Sequence, residues 1–250
     1  MLKYFEGLVL ILSIVCIVHG GHKRGWKQRK DPDKYERDEF IPIYPHEWPP
    51  EEVERRLRED DVIPDVIDVP PIYVINVSYC PGITVYFGNE LEPPEVAKEP
   101  QHCSWPIAAG YNYTLIMTGA DDPSVATYYN REYLNWLVVD IPGCDVHKGT
   151  VIAKYNPLEM LPQTGLHRWV FVVYMQPKLR PRWHEPFMHD QNDGHRVKFS
   201  NKKFAKKYNL GKPYASNYFN SEPLPLDNSK GPGQSAYAAG VLRPEQAHHI

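Results

Sequence analysis

The chain has 250 residues and a formal net charge of −3 at pH 7, so no basic excess points to a nucleic-acid partner. Its 25 prolines favour short strands joined by stiff turns over a helical bundle, and its 17 tyrosines and 6 tryptophans can fill a large core. We therefore expect one mainly β domain with extensions.

Residues 1–20 are typical of a secretory signal peptide. An apolar run from Leu8 to Val18 follows Lys3 and ends beside small residues, and it is shorter than the ~20 residues a spanning helix needs. The basic segment 22–30 is the counter-argument, because positive charge after an apolar run disfavours its translocation. We predict an extracellular, secreted protein with no stable membrane span.

The rest of the chain divides by composition. Residues 21–50 are predicted to be a flexible arm, basic at first and then Pro-rich, with no sustained apolar period. Residues 51–222 form the predicted domain, and 223–250 are predicted to be a disordered tail rich in Pro and Gly.

Two helices and five strands are predicted within the domain. Pro50 opens a helix that presents Val53 and Leu57 on one face, and Ser200 caps a second helix over 201–209. The predicted strands are Ile72–Val77, Ile83–Phe87, Tyr113–Thr118, Tyr133–Val139 and Trp169–Met175. Two of them carry continuous apolar runs, at 137–139 and 170–173, which predicts burial on both faces.

The expectation of secretion leads to predictions about the cysteines and about two glycosylation sequons. Cys80, Cys103 and Cys144 remain after signal removal, which predicts one disulfide of unassigned pairing and one free thiol. The alternative is three buried free thiols. Asn76 and Asn112 begin glycosylation sequons; we expect Asn112 to be exposed after a turn, whereas Asn76 lies inside a strand.

One short segment carries a family resemblance. Gly165-Leu166-His167-Arg168-Trp169 places a His-Arg pair at the start of an apolar run, and 131–143 has the same character. Together they resemble the phosphatidylethanolamine-binding protein family, which includes the Raf kinase inhibitor proteins. The likeness covers about residues 62–222. It implies an antiparallel β-sandwich core with a few peripheral helices.

The resemblance also implies a small pocket for phosphate-like head groups, and it places eight residues around that pocket. They are Gly119, Asp121, Pro123, Asn135, Glu159, His167, Trp169 and Phe219. Several depart from the family pattern: Gly119 replaces an acid, and Asn135 replaces a histidine. Tyrosines are replaced by Trp169 and Phe219. We also expect the Asp122–Pro123 bond of the adjoining turn to be cis.

These changes predict a degenerate anion pocket. A phosphate dianion needs several converging donors, and a lost imidazole and a lost phenol remove two of them. Glu159 would repel an anion, whereas Asn135 can still donate two hydrogen bonds. His167 is either the remaining ligand donor or a satisfied, half-buried histidine. Arg168 is predicted to be a structural pairing residue, with Asp140 or Glu132 as its partner.

Neither a catalytic set nor a metal site is predicted. No nucleophile with a base and an orienting acid is visible, and His184, His189 and His195 do not have a metal-ligand spacing. We therefore expect no enzyme, no metal and no cofactor. The leading hypothesis is a secreted, non-catalytic binding protein for a small molecule or a lipid head group. The alternatives are a protein-interaction module, such as a protease or kinase inhibitor, and a structural subunit like a mitochondrial large-ribosomal protein with a similar domain.

The secretion hypothesis predicts a mature protein that begins near Gly21. N-terminal sequencing of the secreted product measures this directly. A cytosolic or mitochondrial product that still carries residues 1–18 would contradict the prediction.

Overall fold

The computed structural model describes residues 48–80, 82–124, 126–189 and 193–224. The predicted signal peptide, nearly all of the predicted arm and nearly all of the predicted tail lie outside these ranges, so those assignments stay predictions. Within the described ranges, no helix is long and apolar enough to cross a membrane.

The described chain is mainly β with few helices, as the sequence predicted. The helices are α1 (Pro50–Glu59), α2 (Val62–Asp65) and α3 (Asn201–Lys207). The strands are β1 (Tyr73–Val74), β2 (Asn76–Cys80), β3 (Ile83–Thr84), β4 (Asn89–Glu90), β5 (His102–Ser104), β6 (Asn112–Gly119), β7 (Tyr133–Pro142), β8 (Thr150–Ala153), β9 (His167–Met175) and β10 (Ala215–Ser221).

Helices α1 and α3 begin where the sequence predicts. Pro50 occupies the first turn of α1, where a missing N–H costs nothing, and Val53 and Leu57 are buried on one face. The side chain of Ser200 accepts a hydrogen bond from the backbone N–H of Lys203 and so caps α3. Helix α3 ends slightly earlier than expected, at Lys207.

The larger sheet has the order β1-β10-β9-β6-β7-β8, and β4 also pairs with β10. Strands β6, β7, β9 and β10 run antiparallel to their neighbours within this group. β1 and β4 pair with β10 in parallel, so the predicted purely antiparallel sheet is wrong at this edge. The apolar runs at 137–139 and 170–173 are buried, because both faces of the sheet are covered.

The predicted strand 72–77 is divided between two sheets. β1 pairs with β10 in the larger sheet, whereas β2 pairs with β3 and β5 in a separate three-stranded sheet. The buried amide of Asn217 makes this possible, because its Nδ2 donates to the carbonyl oxygens of Ile75 and Val85. Its Oδ1 accepts from the backbone N–H of Phe87. One side chain therefore satisfies backbone groups where the chain changes sheets.

Two apolar cores lie on opposite faces of the larger sheet. One packs beneath the helices and includes Val53, Leu57, Ile116, Val170 and Phe204. The other includes side chains of both sheets, among them Val77, Cys103, Leu115, Trp136 and Phe171. The sheets are open, so the predicted sandwich architecture stays a prediction.

The three described cysteines are free thiols, so the predicted disulfide is not formed in this structure. Cys80 is exposed, Cys144 is half-buried and Cys103 is buried. Burial raises the pKa of the Cys103 thiol to about 12, so this group is a neutral apolar side chain at neutral pH.

The two sequon asparagines are both half-buried. For Asn112 this corrects the expected exposure, because β6 begins at this residue and pairs it with Pro142. With its amide turned to the better orientation, the Asn112 oxygen also accepts hydrogen bonds from Arg180. Glycosylation at either position stays a prediction.

Candidate functional site

Most of the predicted pocket residues meet at one end of the larger sheet. β6 ends at Gly119, and the register places this residue opposite Trp169 in β9. Trp169 in turn lies opposite Phe219 in β10. His167 is the first residue of β9 at the same end. We refer to this group as the His167 site.

The indole of Trp169 occupies the space above Gly119. A Cβ atom added to Gly119 would lie 2.7 Å from Cζ3 of Trp169, closer than real Cβ contacts allow. The indole is buried, and the ring of His167 stacks beside it with 6.4 Å between ring centroids. A side chain at position 119 is therefore incompatible with the observed position of the Trp169 indole.

His167 has the geometry of a satisfied histidine. It is 3% exposed, and its Nε2 lies 2.7 Å from Oγ1 of Thr164. Burial lowers the pKa of His167, while the negative charges of Asp121 and Asp122 oppose that shift. The imidazole is therefore neutral at pH 7 and offers no positive charge to an anion.

Asp121 is held by Arg168, which contacts both of its carboxylate oxygens. Asp121 is 1% exposed, and its oxygens accept from Nε and Nη2 of Arg168 at 2.9 and 2.6 Å. The backbone N–H of Arg168 also donates to Asp121, at 2.9 Å. This fork-shaped pairing commits the carboxylate to the fold.

Arg168 is the structural pairing residue that the sequence predicted, but its predicted partners were wrong. Besides Asp121, it donates to Oδ2 of Asp65 at 3.0 Å and to the backbone carbonyl of Asp60 at 2.8 Å. Asp140 accepts instead from the indole of Trp183. The error arose because the partners come from distant segments that sequence spacing does not reveal.

Asp65 is shared by two arginines. Nη2 of Arg131 lies 2.6 Å from its Oδ2, beside the contact from Arg168. Burial opposes ionisation, but the hydrogen bonds from Arg131 and Arg168 lower the pKa of Asp65. The guanidinium of Arg131 also lies 4.6 Å from the ring centroid of Tyr128. These contacts fix the loop between β6 and β7 against α2.

Asn135 bonds within the protein. Leu134 and Trp136 pair with neighbouring residues of β6, so Asn135 is the extra residue of a β-bulge. Its Oδ1 accepts from the N–H of Gly119, and its Nδ2 donates to the carbonyl of Asn156, both at 3.1 Å. The expectation that both amide hydrogens are available to a ligand is therefore wrong, because one of them is used.

The rim of the site is acidic. Glu159 is exposed, and Asp122 is half-buried, with its pKa raised by burial. Burial raises the pKa of Tyr133 to about 12; the positive charge of Arg196 opposes this shift, and the negative charges of Glu159 and Asp122 add to it. Sequence reasoning missed Tyr133 as a rim residue. The Asp122–Pro123 bond is cis, as predicted.

Phe219 and Trp169 make the interior apolar. The ring of Phe219 is fully buried, and its centroid lies 6.2 Å from that of the Tyr79 ring and 6.3 Å from that of the Phe171 ring. The Nε1 of Trp169 is buried and has no hydrogen-bond partner within the described residues. A buried donor without an acceptor is costly to the fold.

Glu132 is a buried carboxylate that bonds to Thr118 and Asn201 and not to Arg168, its predicted partner. Its Oε1 accepts from the N–H of Asn201 at 3.0 Å, and its Oε2 accepts from Asn201 Nδ2 at 2.5 Å and Thr118 Oγ1 at 3.1 Å. Burial raises the pKa of Glu132 to about 7, although these hydrogen bonds oppose the shift. Glu132 therefore joins α3 to the strands of the site through a proton-sensitive contact.

Among the described residues, no group of three or more His, Cys, Asp or Glu side chains could hold a metal ion. Asp193 and His195 form a surface pair, 2.6 Å apart. His184 and His189 are exposed as well.

Comparison with known proteins identifies the family. No family model matches the sequence. The chain is 34% identical over 163 residues to a 26 kDa secreted antigen of Toxocara canis. The matched region covers 64% of this chain and 61% of the antigen. The chain is also 34% identical over 173 residues to putative odorant-binding protein A5 of Drosophila melanogaster, covering 68% of this chain and 80% of that protein. The chain thus spans less than two thirds of the antigen's length.

Solved structures show the same fold. A carboxypeptidase Y inhibitor in complex with its proteinase has a TM-score of 0.59 at 22% identity, covering 69% of this chain and 95% of the inhibitor. A phosphatidylethanolamine-binding protein from Plasmodium vivax has a TM-score of 0.57 at 21% identity, covering 68% of this chain and 97% of that protein. The CG7054 solution structure has a TM-score of 0.52 at 34% identity, covering 65% of this chain and 92% of that structure. The chain belongs to the phosphatidylethanolamine-binding protein family.

Arg168 should contribute strongly to stability. Arg168→Leu leaves Asp121 buried and uncompensated, so we expect a loss of about 3 kcal/mol or more in urea unfolding. Arg55→Leu, which removes exposed ion pairs of α1, is the matched control and should leave the midpoint almost unchanged. Adding Asp121→Asn to Arg168→Leu should recover part of the loss. Equal effects of Arg168→Leu and Arg55→Leu would contradict this account.

Glu132 should make stability fall as pH rises. Its folded pKa of about 7 lies above the usual value of 4.5, so its contribution is complete below pH 4.5 and is lost as pH rises through 7. The unfolding free energy of wild type relative to Glu132→Gln should therefore fall by about 3 kcal/mol across that window. Glu51→Gln, at an exposed position of α1, is the control. A wild-type-to-Glu132→Gln difference that does not change with pH would rule out the buried titration.

Proposed function

We propose that this chain is a secreted, non-catalytic binding protein whose site has lost strong phosphate recognition and takes a small, mainly apolar ligand. The position of the Trp169 indole over Gly119 carries this proposal. It replaces an acidic side chain, expected from the family resemblance, with a large apolar surface.

The electrostatics of the site support the same conclusion. Arg168 is neutralised by Asp121 and Asp65, and His167 is neutral. The groups left at the rim, Asp122 and Glu159, are carboxyl groups that oppose a phosphate dianion. A phosphate would therefore lack the converging charged donors that hold it in other proteins.

The unpartnered Nε1 of Trp169 favours a ligand that carries one acceptor, such as a carbonyl or hydroxyl oxygen. Such a group would satisfy the buried donor while the body of the ligand packs against aromatic side chains. This inference is consistent with relatives named as a secreted antigen and a putative odorant-binding protein.

A protein-interaction role is the second candidate, and two exposed tyrosines favour it. Tyr128 and Tyr129 are 51% and 69% exposed in the loop between β6 and β7, beside Arg131. Tyrosine and arginine are the residues that most often anchor protein interfaces. The inhibitor of similar fold was solved bound to a proteinase. Saturable binding of a small ligand would favour the first candidate, and its absence the second.

Phosphorylethanolamine should bind weakly to the wild-type chain. The acid expected at position 119 and the histidine expected at position 135 would each supply a charge-assisted hydrogen bond worth ~1.5–3 kcal/mol. Relative to a family member that has both, binding should be weaker by at least about a hundredfold. Calorimetry should compare wild type with the triple variant Gly119→Asp, Asn135→His and Trp169→Tyr. The third substitution is needed because Trp169 occupies the space that an aspartate side chain at position 119 requires.

The single variant Gly119→Asp is the matched control, because its new side chain collides with Trp169. It should bind phosphorylethanolamine no better than wild type, whereas the triple variant should bind more tightly. N-phenyl-1-naphthylamine, an uncharged apolar probe, should show the reverse order. Wild-type affinity for phosphorylethanolamine equal to that of the triple variant would overturn the proposal.

A further inference from the structure

The end of the larger sheet opposite the His167 site carries exposed aliphatic side chains. β9 runs away from His167 and ends at Met175, which pairs with Tyr113 near the start of β6. β10 begins at this same end, with Ala215 opposite Val173. The loops here present Ile72, Ile107 and Leu179, which are 60%, 60% and 88% exposed. We call this end of the sheet the distal face.

Contacts fix these loops to the same place. The side chain of Ile107 lies within 3.7 Å of a Cβ position on Gly143, the residue that follows β7. The ring of Tyr73, next to Ile72, packs 5.0 Å from Tyr214, which packs 5.2 Å from Tyr113. Ile72 and Ile107 are therefore held by short connections to the ends of the sheet strands.

Three cations accompany the aliphatic side chains. Lys178, Arg180 and Arg182 lie within five residues and flank Leu179, and all three are exposed. The ammonium of Lys178 lies 5.8 Å from the centroid of the Tyr111 ring, which places this segment beside the loop that carries Ile107. A cluster of exposed cations around an exposed leucine is therefore part of the distal face.

These cations have no carboxylate partner among the described residues. Arg180 donates to the amide oxygen of Asn112, a neutral group. Asp145, which follows β7 at the same end, pairs with Lys148 at 2.7 Å. The positive charge of the 178–182 segment is therefore not cancelled by ion pairs in the described fold. It remains available to an external partner.

We propose that the distal face docks on an anionic lipid surface. Cations near such a surface are each worth about a fivefold gain in binding, and exposed aliphatic side chains enter the boundary between head groups and acyl chains. A sulfated polysaccharide would use the cations alone and would leave Leu179, Ile72 and Ile107 in water. The combination of charge and apolar surface selects the membrane. This surface is separate from the ligand site, so it does not depend on the proposed function.

Vesicle sedimentation tests the proposal with the full-length chain. Wild type should bind phosphatidylcholine vesicles that contain phosphatidylserine and should not bind phosphatidylcholine alone. Binding should weaken as sodium chloride is raised, because salt screens exposed charges. Lys178→Ser and Arg182→Ser should each weaken binding about fivefold. Leu179→Ser should also weaken it, with little change in the salt dependence.

Matched controls lie elsewhere on the chain. Lys206→Ser removes an exposed cation from α3, and Leu161→Ser removes a 49% exposed leucine near the His167 site. Neither should change vesicle binding. All substituted side chains are exposed, so urea unfolding should confirm equal stability.

Three outcomes would overturn the proposal. The first is no binding to the anionic vesicles. The second is an equal loss for Lys206→Ser and Lys178→Ser, which would indicate attraction by overall charge only. The third is heparin binding that depends on the cations while Leu179→Ser leaves vesicle binding unchanged, which would assign the face to a polyanion.

Discussion

The ion pair between Arg168 and Asp121 is the constraint on which the rest of the site depends. Asp121 is almost completely buried, so its charge must be compensated, and the planar guanidinium meets both of its oxygens. The same guanidinium reaches Asp65 and the carbonyl of Asp60. One arginine at the start of β9 thus joins the turn after β6 to the helices that precede the sheet, and a cation suited to an anionic ligand becomes part of the fold.

The other features of the site follow from the pairing of Arg168 with Asp121. Since Arg168 is committed to Asp121, phosphate recognition would have to come from His167, Asn135 and their neighbours. His167 is neutral and bonded to Thr164, and Asn135 bonds to Gly119 and Asn156. Each of these polar groups makes a hydrogen bond inside the protein, and the indole of Trp169 lies over Gly119.

The sequence predicted those parts of the fold whose signal is local. Strands β6, β7 and β9 were found because they are long and apolar. Helices α1 and α3 were found because each begins at a residue that favours a helix N-terminus and has apolar residues on one face. β10 was missed because its Ser and Asn residues resemble a loop; Ser216 and Ser221 are tolerated because each hydroxyl donates to a buried carbonyl. The family pattern predicted a site that includes Gly119, Trp169 and Phe219; these residues lie at one end of the sheet, and their role in binding stays a prediction. The partners of Arg168 could not be predicted, because they are set by the register of distant segments.

The two ends of the larger sheet differ in how they use charge. At the His167 site, Arg131 and Arg168 pair with Asp65 and Asp121, so charge there stabilises the fold. At the distal face, the cations of 178–182 lack carboxylate partners within the described ranges, and Leu179 projects among them at 88% exposure. Folding gains little from an exposed leucine, and like charges close together repel one another. A surface that the fold itself does not need is better explained by a partner that supplies both negative charge and an apolar interior.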